Sequence, residues 1–401
     1  MTELPSTVRH AIERAQASSA DPIALFVHDL DALRQHVRAV MAALPPKVEL
    51  YYAIKANSEA PILDALAPLV HGFEISSGGE IDRVVGCATR KPYVFSGPGK
   101  LDSDLRAALR HGVEAIHVES LNEIARLQHL AEAAGRVQAV LIRINPQLPA
   151  PLSSKLAMAG TPTPFGIDEP ELALAVRQVD QASHLQLKGF HVHAMSHQQQ
   201  VERHEQLLDL YLQRWPQWRA LAANPQTVTH LNVGGGIGVN YLGPQQFDWQ
   251  RLCTYLGQRL GADAQAPIVR FEPGRFISAF CGYYAIAVLD TKTSHGKHFV
   301  VCRGGTHQFR LPVAQGHDHP VIHLPRQPRS TSAATQPWTV VGQLCTPKDI
   351  LSRDYPLQDV RIGDLLVLPL AGAYGYNISH VDFLCHPRPS LLFVQEGGAC
   401  Q

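Results

Sequence analysis

Lys55 stands where a strand-like segment meets a polar turn. Residues 48–56 alternate β-branched and aromatic side chains, a pattern typical of a strand, and Asn57 and Ser58 follow directly. Because α/β proteins bind ligands at the carboxyl ends of their strands, we expect the amine of Lys55 to point into such a crevice, where burial favours the nucleophilic form. The alternative is a structural lysine whose stem packs on the protein while its charge stays in water.

Glycines and an arginine elsewhere in the chain supply groups that bind anions. Gly235 and Gly236 lie in the segment Val-Gly-Gly-Gly-Ile-Gly, residues 233–238, whose backbone amides are able to surround a phosphate closely. A tight turn is the alternative for these glycines in isolation. The segment Glu-Pro-Gly-Arg, residues 272–275, adds the guanidinium of Arg275. The two segments follow the seventh and eighth strands of a predicted series, where barrel proteins often hold phosphate.

Together these residues suit pyridoxal 5′-phosphate. A lysine forms a Schiff base with this cofactor, amides and an arginine bind its phosphate, and a carboxylate such as Glu272 pairs with its pyridine nitrogen. That pairing keeps the ring protonated and able to accept electrons from a carbanion. His191, in the sixth predicted strand, is expected to lie flat against the ring, with a buried structural role as the alternative. We interpret His193 as a structural histidine.

Strands and helices alternate regularly through the first two thirds of the chain. Amphipathic helical patterns separate most of the predicted strands, for example at 121–134 and 201–221. This alternation predicts an α/β protein built on a (β/α)8 barrel, since an open doubly wound sheet usually has fewer strands. The eight predicted barrel strands are residues 48–56, 72–76, 92–97, 114–119, 138–145, 185–195, 227–234 and 267–276.

Beyond residue 276 the pattern changes to strands without helices, which predicts a C-terminal, mostly antiparallel β-domain. The expected division is an N-terminal segment, 1–28, whose strand at 24–28 pairs with the β-domain, then a barrel at 29–276 and a β-domain at 277–401. Residues 146–164 are expected to form a mobile loop above the barrel mouth. Residues 308–336 form a long insertion that the sequence does not assign.

Bulk composition excludes several classes of protein. The 401 residues carry 35 Lys and Arg against 35 Asp and Glu, so nothing indicates a nucleic-acid or anionic-membrane partner. Seven scattered cysteines indicate free thiols in a reducing compartment, and no apolar run suggests a signal peptide or membrane span, so we expect a cytoplasmic protein. The 21 histidines show no metal-ligand spacing, and the sequence does not require a metal.

The chain resembles the fold type III pyridoxal phosphate decarboxylases, which include the diaminopimelate, ornithine and arginine decarboxylases. The resemblance runs over nearly the whole length. It is carried by Tyr-Ala-Ile-Lys-Ala-Asn (52–57), Gly-Phe-His-Val (189–192), Asn-Val-Gly-Gly-Gly-Ile-Gly (232–238), Phe-Glu-Pro-Gly-Arg (271–275), Gly-Gln-Leu-Cys-Thr-Pro-Lys-Asp (342–349) and Gly-Ala-Tyr (372–374). Six motifs in this order are highly specific.

The resemblance implies an alanine racemase-like barrel with a β-domain, and a head-to-tail homodimer whose active sites include residues of the partner's β-domain. Cys345, supplied across the interface, would protonate the α-carbon after carbon dioxide leaves; a buried apolar role is its alternative. Tyr374 would contact the phosphate. The barrel residues implied to bind the cofactor or take part in the chemistry are Lys55, His191, Gly235, Gly236, Glu272, Gly274 and Arg275.

Departures from the family pattern concern the substrate. Thr346 replaces an acidic residue that contacts a distal ammonium group in relatives, and Arg303 replaces an expected aspartate. Both changes remove negative charge, so we predict a small-molecule substrate whose far end is anionic, bound by Arg303, Thr346 and Asp349. The Cys-Thr-Pro-x-Asp variant resembles the siderophore and secondary-metabolism branch, where a citryl-diaminopropionate-like substrate fits Arg303. Ala194 takes the place of a phosphate-binding serine, for which Ser196 is a candidate substitute.

Three alternatives stay open from the sequence. One is a decarboxylase of diaminopimelate or another basic amino acid. A second is an amino-acid racemase, against which Glu272 argues, because an arginine typically faces the ring nitrogen in alanine racemase. The third is a non-catalytic homologue that binds a regulatory partner; such proteins tend to lose cofactor contacts, which are retained here.

Overall fold

The computed structural model describes residues 3–149, 160–261, 263–327, 334–396 and 398–400. The central part of the predicted loop at 146–164 and residues 328–333 of the predicted insertion lie outside these ranges. The chain divides into two compact units. One comprises residues 36–239 and 246–276, and the other comprises residues 1–35, 240–245 and 277–401.

Strands occur in both units. They are β1 (Ala24–Asp29), β2 (Val48–Ala53), β3 (Gly72–Ile75), β4 (Tyr93–Phe95), β5 (Ala115–Val118), β6 (Gln138–Asn145), β7 (Ile167–Asp168), β8 (Leu185–His191), β9 (His230–Gly234), β10 (Ile268–Phe271), β11 (Gly282–Ser294), β12 (Lys297–Cys302), β13 (Ile322–Leu324), β14 (Thr335–Val341), β15 (Ile350–Gln358), β16 (Leu365–Pro369), β17 (Ser390–Gln395) and β18 (Gly398–Cys400).

The helices lie mainly between the barrel strands. They are α1 (Ser6–Ser18), α2 (Leu30–Ala42), α3 (Ala60–Leu66), α4 (Gly78–Val85), α5 (Asp102–His111), α6 (Leu121–Ala133), α7 (Leu172–Gln181), α8 (Val201–Arg219), α9 (Trp249–Leu260), α10 (Arg275–Ser278) and α11 (Leu311–Gln315). Side-chain caps fix several starts: Ser77, Ser120 and Asp248 each accept a backbone N–H three residues later. Across the described ranges, no helix combines the length and apolarity needed to cross a membrane.

The larger unit is a closed parallel barrel, as predicted. Its strands follow the order β2-β3-β4-β5-β6-β8-β9-β10, and pairing of β10 with β2 closes the circle. All of these pairs are parallel. The expected α/β fold class of an eight-stranded barrel with an additional β-domain is confirmed.

Several barrel strands end earlier than their sequence pattern predicts, although β6 and β9 end at the predicted residues. β2 stops at Ala53, and Ile54–Ala56 form a 3-10 turn that carries Lys55. β8 and β10 likewise end at His191 and Phe271, before the polar segments that follow them. The difference arises because apolar periodicity continues into turns that pack against the barrel rim, whereas strand pairing does not.

Charged and aromatic side chains pack together in the barrel interior, nearer the amino ends of the strands than Glu272. Arg270 is 1% exposed and lies with its guanidinium 3.9 Å from the ring centre of Tyr51. Its charge is balanced by Glu49 and Glu114, each at 2.7 Å. Gly72 leaves room for the Tyr51 ring, because a Cβ there would overlap it. Since side chains alternate along a strand, an inward Arg270 places Glu272, two residues later, inside the barrel as well.

The smaller unit contains a sheet in the order β15-β14-β12-β11-β1-β17-β18, with β16 pairing to β11 and β13. The pairs β12–β14 and β1–β17 are parallel and the others are antiparallel. β1, from the start of the chain, lies between β11 and β17, and α1 packs Val8 and Ile12 into the same core. Within the unassigned insertion, α11 and β13 are formed.

Candidate active site

Lys55 lies at the barrel mouth with its side chain 45% exposed. Its Nζ donates to Glu74 Oε2 at 2.8 Å, and the Glu74 carboxylate is fully buried. Glu74 also accepts hydrogen bonds from the hydroxyls of Ser76 and Ser96. Burial raises the pKa of Glu74, but the charge of Lys55 and these hydrogen bonds outweigh it and hold the pKa below its usual range. Lys55 is therefore oriented by a buried, ionised carboxylate.

The glycine loop after β9 excludes side chains. Gly234 and Gly236 have φ values of 67° and 82°, a region that favours glycine. A Cβ on Gly235 would overlap the carbonyl oxygen of Glu272, and one on Gly236 would overlap that of Met195. The loop thus presents bare backbone at the carboxyl end of β9, which is the geometry that close approach to a phosphate requires.

Glu272 follows β10 and is 6% exposed. The side-chain amide of Asn232 donates to its Oε1 at 2.6 Å, and the carbonyl oxygen of that amide accepts from Gly234 N–H at 2.9 Å. Burial and the neighbouring Glu74 raise the pKa of Glu272 to about 7, while Lys55 acts in the opposite direction. A carboxyl with this pKa is readily stabilised as an anion when a positively charged ring nitrogen approaches it.

The positions of His191, the last residue of β8, and of His193 differ from those that the sequence predicts. His191 is 2% exposed and lies inside the barrel, with its Nε2 3.6 Å from Glu272 Oε2. It therefore does not present a free face at the mouth, which the expectation of ring stacking requires. His193 is half-buried, and its Nδ1 accepts the Gly235 N–H at 3.2 Å. The structure thus favours His193, previously interpreted as structural, as the imidazole nearest the glycine loop.

The other barrel residues of the prediction lie in the same rim. Gly274 approaches the Cβ of Ala56 so closely that a Cβ on it would lie 2.8 Å away. Arg275 begins α10 and is half-buried. Ala194, in the expected serine position, is buried, and Ser196 is half-buried. The barrel therefore brings Lys55 and the predicted cofactor groups to one end.

Arg303 and Cys345 belong to the smaller unit. The Arg303 guanidinium donates from Nη1 to Gln343 Oε1 at 2.7 Å, and the Gln343 amide lies 2.5 Å from His386 Nδ1. Arg303 is half-buried, so Gln343 fixes its direction without removing it from solvent. Cys345 is an exposed free thiol. Its exposure does not fit the alternative of a buried apolar residue.

Asp349 does not fit its expected contact with substrate. It is 2% exposed, and its carboxylate accepts from Leu344 N–H at 2.8 Å and from the N–H and hydroxyl of Thr306 at 2.6 and 2.8 Å. These bonds occupy both oxygens and hold the loop that carries Cys345 and Thr346. Thr346 is half-buried, and Tyr374 is half-buried with a φ of 51°.

The sequence prediction missed Glu74, which holds Lys55. A signal was available: Glu74 is a charged residue inside the apolar strand Gly-Phe-Glu-Ile, and buried carboxylates require a partner. It also missed His117, a histidine in the apolar strand β5.

Comparison with protein-family models decides the class. Residues 30–279 match the model described as "Pyridoxal-dependent decarboxylase, pyridoxal binding domain". The chain belongs to this family. The match covers the barrel with Lys55, the glycine loop and Glu272, and the chain is a pyridoxal-dependent carboxy-lyase.

Curated relatives agree with this family over nearly their full lengths. A "2-[(L-alanin-3-ylcarbamoyl)methyl]-2-hydroxybutanedioate decarboxylase" of Staphylococcus aureus is 39% identical, covering 97% of this chain and 98% of the relative. An "L-glutamyl-[BtrI acyl-carrier protein] decarboxylase" of Niallia circulans is 28% identical over 93% of this chain and 89% of the relative. A diaminopimelate decarboxylase of Neisseria meningitidis is 30% identical over 88% of this chain and 86% of the relative.

Solved structures of this decarboxylase family share the fold. A single-residue mutant of diaminopimelate decarboxylase from Helicobacter pylori, solved with L-lysine, aligns with a TM-score of 0.86 and 25% identity, covering 97% of this chain and 95% of that chain. The likeness extends across both the barrel and the β-domain.

The residues present fit the family's cofactor, pyridoxal phosphate. Lys55 supplies an exposed amine, the glycine loop offers backbone that no side chain obstructs, and Glu272 supplies a buried carboxylate. When bound, the cofactor withdraws electrons from the carbon that loses its carboxylate. We propose that Lys55 bonds the cofactor, that Gly235, Gly236, Gly274 and Arg275 hold its phosphate, and that Glu272 holds its ring nitrogen.

The raised pKa of Glu272 predicts a pH-dependent stability of the cofactor-free protein. The pKa is about 7 in the folded state and 4.5 in the unfolded state, so between these values the folded protein binds more protons. The Glu272 contribution to the free energy of unfolding is therefore fully present below pH 4.5 and is lost progressively as pH rises to about 7. In urea unfolding at pH 5 and pH 7.5, we expect Glu272→Gln to remove part of the wild-type decrease. An identical decrease in both proteins would contradict this assignment.

Proposed function

We propose that this protein removes the α-carboxylate from an amino-acid conjugate whose distal end is anionic, with a citryl-diaminopropionate-like substrate as the best fit. The observation that carries the proposal is Arg303, a half-buried guanidinium fixed by Gln343 at 2.7 Å. Such a group attracts a carboxylate and repels an ammonium ion. Thr346 beside Cys345 adds no negative charge that would attract a distal amine.

The name of the Staphylococcus aureus relative describes a substrate of this chemistry. It is an amide between citrate and the 3-amino group of 2,3-diaminopropionate, with free carboxylates at its far end. At 39% identity over nearly the full length, this relative supports the same substrate class here, and with it a place in siderophore biosynthesis. The runner-up is a diaminopimelate decarboxylase, supported by the 30% identical Neisseria relative.

Each of the site residues has a separate role in the proposed reaction. Lys55, oriented by Glu74, would hold the cofactor through its amine. Glu272 would hold the ring nitrogen of the cofactor. We propose His193 for the face of the ring, and Tyr374 for a phosphate contact. The Cys345 thiol then gives its proton to the α-carbon that carbon dioxide has left.

We propose further that the active form is a head-to-tail homodimer in the cytoplasm. The exposed thiol of Cys345 supports a role at an interface, and the described cysteines Cys87, Cys253, Cys281, Cys302, Cys345 and Cys385 are free, which suits a reducing compartment.

Mixing two inactive variants tests the shared site. Lys55→Ala and Cys345→Ala are each expected to be inactive, but a heterodimer of the two contains one intact site. Random reassortment of equal amounts should therefore restore roughly a quarter of the wild-type sites. Activity of the reassorted mixture is compared with that of the unmixed variants. If each chain uses its own Cys345, mixing will restore nothing.

A substrate panel tests the proposed function itself. Carbon dioxide release is measured with the citryl-diaminopropionate amide, meso-diaminopimelate, ornithine and lysine. We expect the highest kcat/KM for the citryl amide, since only it combines an α-amino acid with a purely anionic far end. Strong turnover of diaminopimelate or lysine, without turnover of the citryl amide, would favour the runner-up.

A further inference from the structure

Four ionisable side chains form one layer of the barrel interior. Glu74 lies on β3, His117 on β5, His191 on β8, and Glu272 directly follows β10. In the barrel order these are the second, fourth, sixth and eighth strands. Alternate strands of such a barrel contribute the four side chains of one layer, and bulky aliphatic residues usually fill it. Here the layer, defined as Glu74, His117, His191 and Glu272, consists of two acids and two bases.

The two histidines of the layer face opposite oxygens of the Glu272 carboxyl group. His117 Nδ1 lies 3.9 Å from Oε1 and His191 Nε2 lies 3.6 Å from Oε2. The rings are tilted against each other with their centres 4.4 Å apart. Both distances are longer than a hydrogen bond, but by no more than about 1 Å.

Both imidazoles are buried and lack other polar contacts among the described residues. His117 is 0% and His191 is 2% exposed, and no nitrogen of either ring has a hydrogen-bond partner there. A buried polar atom without a partner costs stability, so such atoms need an explanation. Glu272 is the acidic side chain that lies beside both rings.

Burial, together with nearby cations, keeps the imidazoles of the layer neutral. Burial lowers the pKa of both histidines well below the usual value, and nearby cations act in the same direction. A neutral imidazole carries one N–H group, so each ring is able to act toward Glu272 as a hydrogen-bond donor and not as the cation of an ion pair. The groups that act electrostatically on these side chains from the surrounding elements are Lys55, Glu74, Lys100, Arg143, His193 and Arg270, with the neutral amide of Asn232 hydrogen-bonded to Glu272.

We propose that His117 and His191 are positioning residues that hold the two oxygens of Glu272 and stabilise its anionic form at the cofactor's ring nitrogen. Glu272 is buried near a second carboxylate, Glu74, so it needs donors to remain ionised. Asn232 donates to Oε1, whereas one histidine nitrogen lies near each of the two oxygens. The inference rests on the proposed role of Glu272, but the state of its carboxyl group is measurable without cofactor or substrate.

Infrared difference spectroscopy of the cofactor-free protein tests the proposal directly. The carbonyl band of protonated Glu272 is identified by its absence in Glu272→Gln and is followed against pH. We expect the midpoint to rise by about one pH unit or more in His117→Leu and in His191→Leu, because one unit corresponds to the loss of one modest hydrogen bond. His117→Asn and His191→Asn keep a donor, so they should raise the midpoint by less than the leucine variants do. They also provide a test if a leucine variant does not fold.

His204 provides a matched control. It is a buried histidine on α8 whose ring packs against Phe247, outside the layer. His204→Leu should leave the Glu272 midpoint unchanged. An unchanged midpoint in all folded His117 and His191 variants would overturn the proposal, as would a stoichiometric metal ion bound by these histidines in the purified protein. Shifted midpoints with an unchanged absorption spectrum of the bound cofactor would instead reject the role of Glu272 at the ring nitrogen and leave the layer intact.

Discussion

Lys55→Ala is expected to abolish the absorbance of lysine-bound cofactor and to lower kcat/KM by at least about 10³-fold, the scale seen when a covalent catalytic group is removed. The amine lies at the barrel mouth, 2.8 Å from Glu74 Oε2 and 45% exposed. No described lysine other than Lys55 is paired with Glu74. Absorbance spectra before and after borohydride reduction, together with carbon dioxide release, measure the two effects.

The variant also leaves Glu74 buried without its cation, so unfolding must be measured in parallel. Lys55→Ala combined with Glu74→Gln removes the uncompensated charge and separates loss of chemistry from loss of stability. Lys47→Ala is the matched control, because Lys47 Nζ donates to the carbonyl oxygen of Asp263 at an exposed position, away from Glu74. A small external amine should partly rescue Lys55→Ala. Retained colour and turnover in this variant would remove the basis for the assignment.

Arg303→Leu is expected to lower kcat/KM for the citryl amide by on the order of 10²- to 10³-fold, the range for removing one partner of a desolvated charge pair. The loss should appear mainly in KM, because the far end of the substrate is bound alike before and during decarboxylation. Arg303→Asp should lose more, and should raise turnover of ornithine relative to the wild type, since it restores the charge that attracts a distal ammonium ion.

Two further variants separate charge from structure. Arg303→Lys keeps the charge but loses the planar contact with Gln343, so we expect intermediate activity. Arg353→Ala removes an exposed arginine whose partner is Asp318, and it should leave kcat/KM unchanged. If Arg303→Leu and Arg353→Ala behave alike with the citryl amide, Arg303 does not recognise the substrate.

The barrel was predictable because its strands and helices alternate with distinct periods. The same periodicity failed at strand ends, where it extended β2 across the 3-10 turn that carries Lys55. Strand pairing depends on neighbours that are remote in sequence, so a local pattern does not fix its last residue. In the β-domain, the sequence of β15 is not typical of a strand, because it contains Pro356 and the adjacent charged residues Arg353 and Asp354, and its pairing with β14 contains register shifts.

Site residues were predictable when backbone geometry alone determined them. The glycine loop is an example, because only glycine fits against the carbonyl oxygens of Glu272 and Met195. Roles that depend on which way a side chain points were not predictable. His191 and His193 are two residues apart, and strand β8 ends between them, which places one in the barrel interior and the other beside the glycine loop. Asp349 was assigned to substrate because its backbone partners, Thr306 and Leu344, are visible only in the fold.

One comparison of substrates tests most directly whether the protein recognises an anionic distal end. The kcat/KM of the wild-type protein is measured for the citryl-diaminopropionate amide and for an analogue in which the distal carboxylates are carboxamides of nearly the same shape. We predict a loss of at least about 10²-fold for the neutral analogue, the cost of leaving a guanidinium such as Arg303 without its anion. Equal kcat/KM for the two compounds would contradict recognition of an anionic far end.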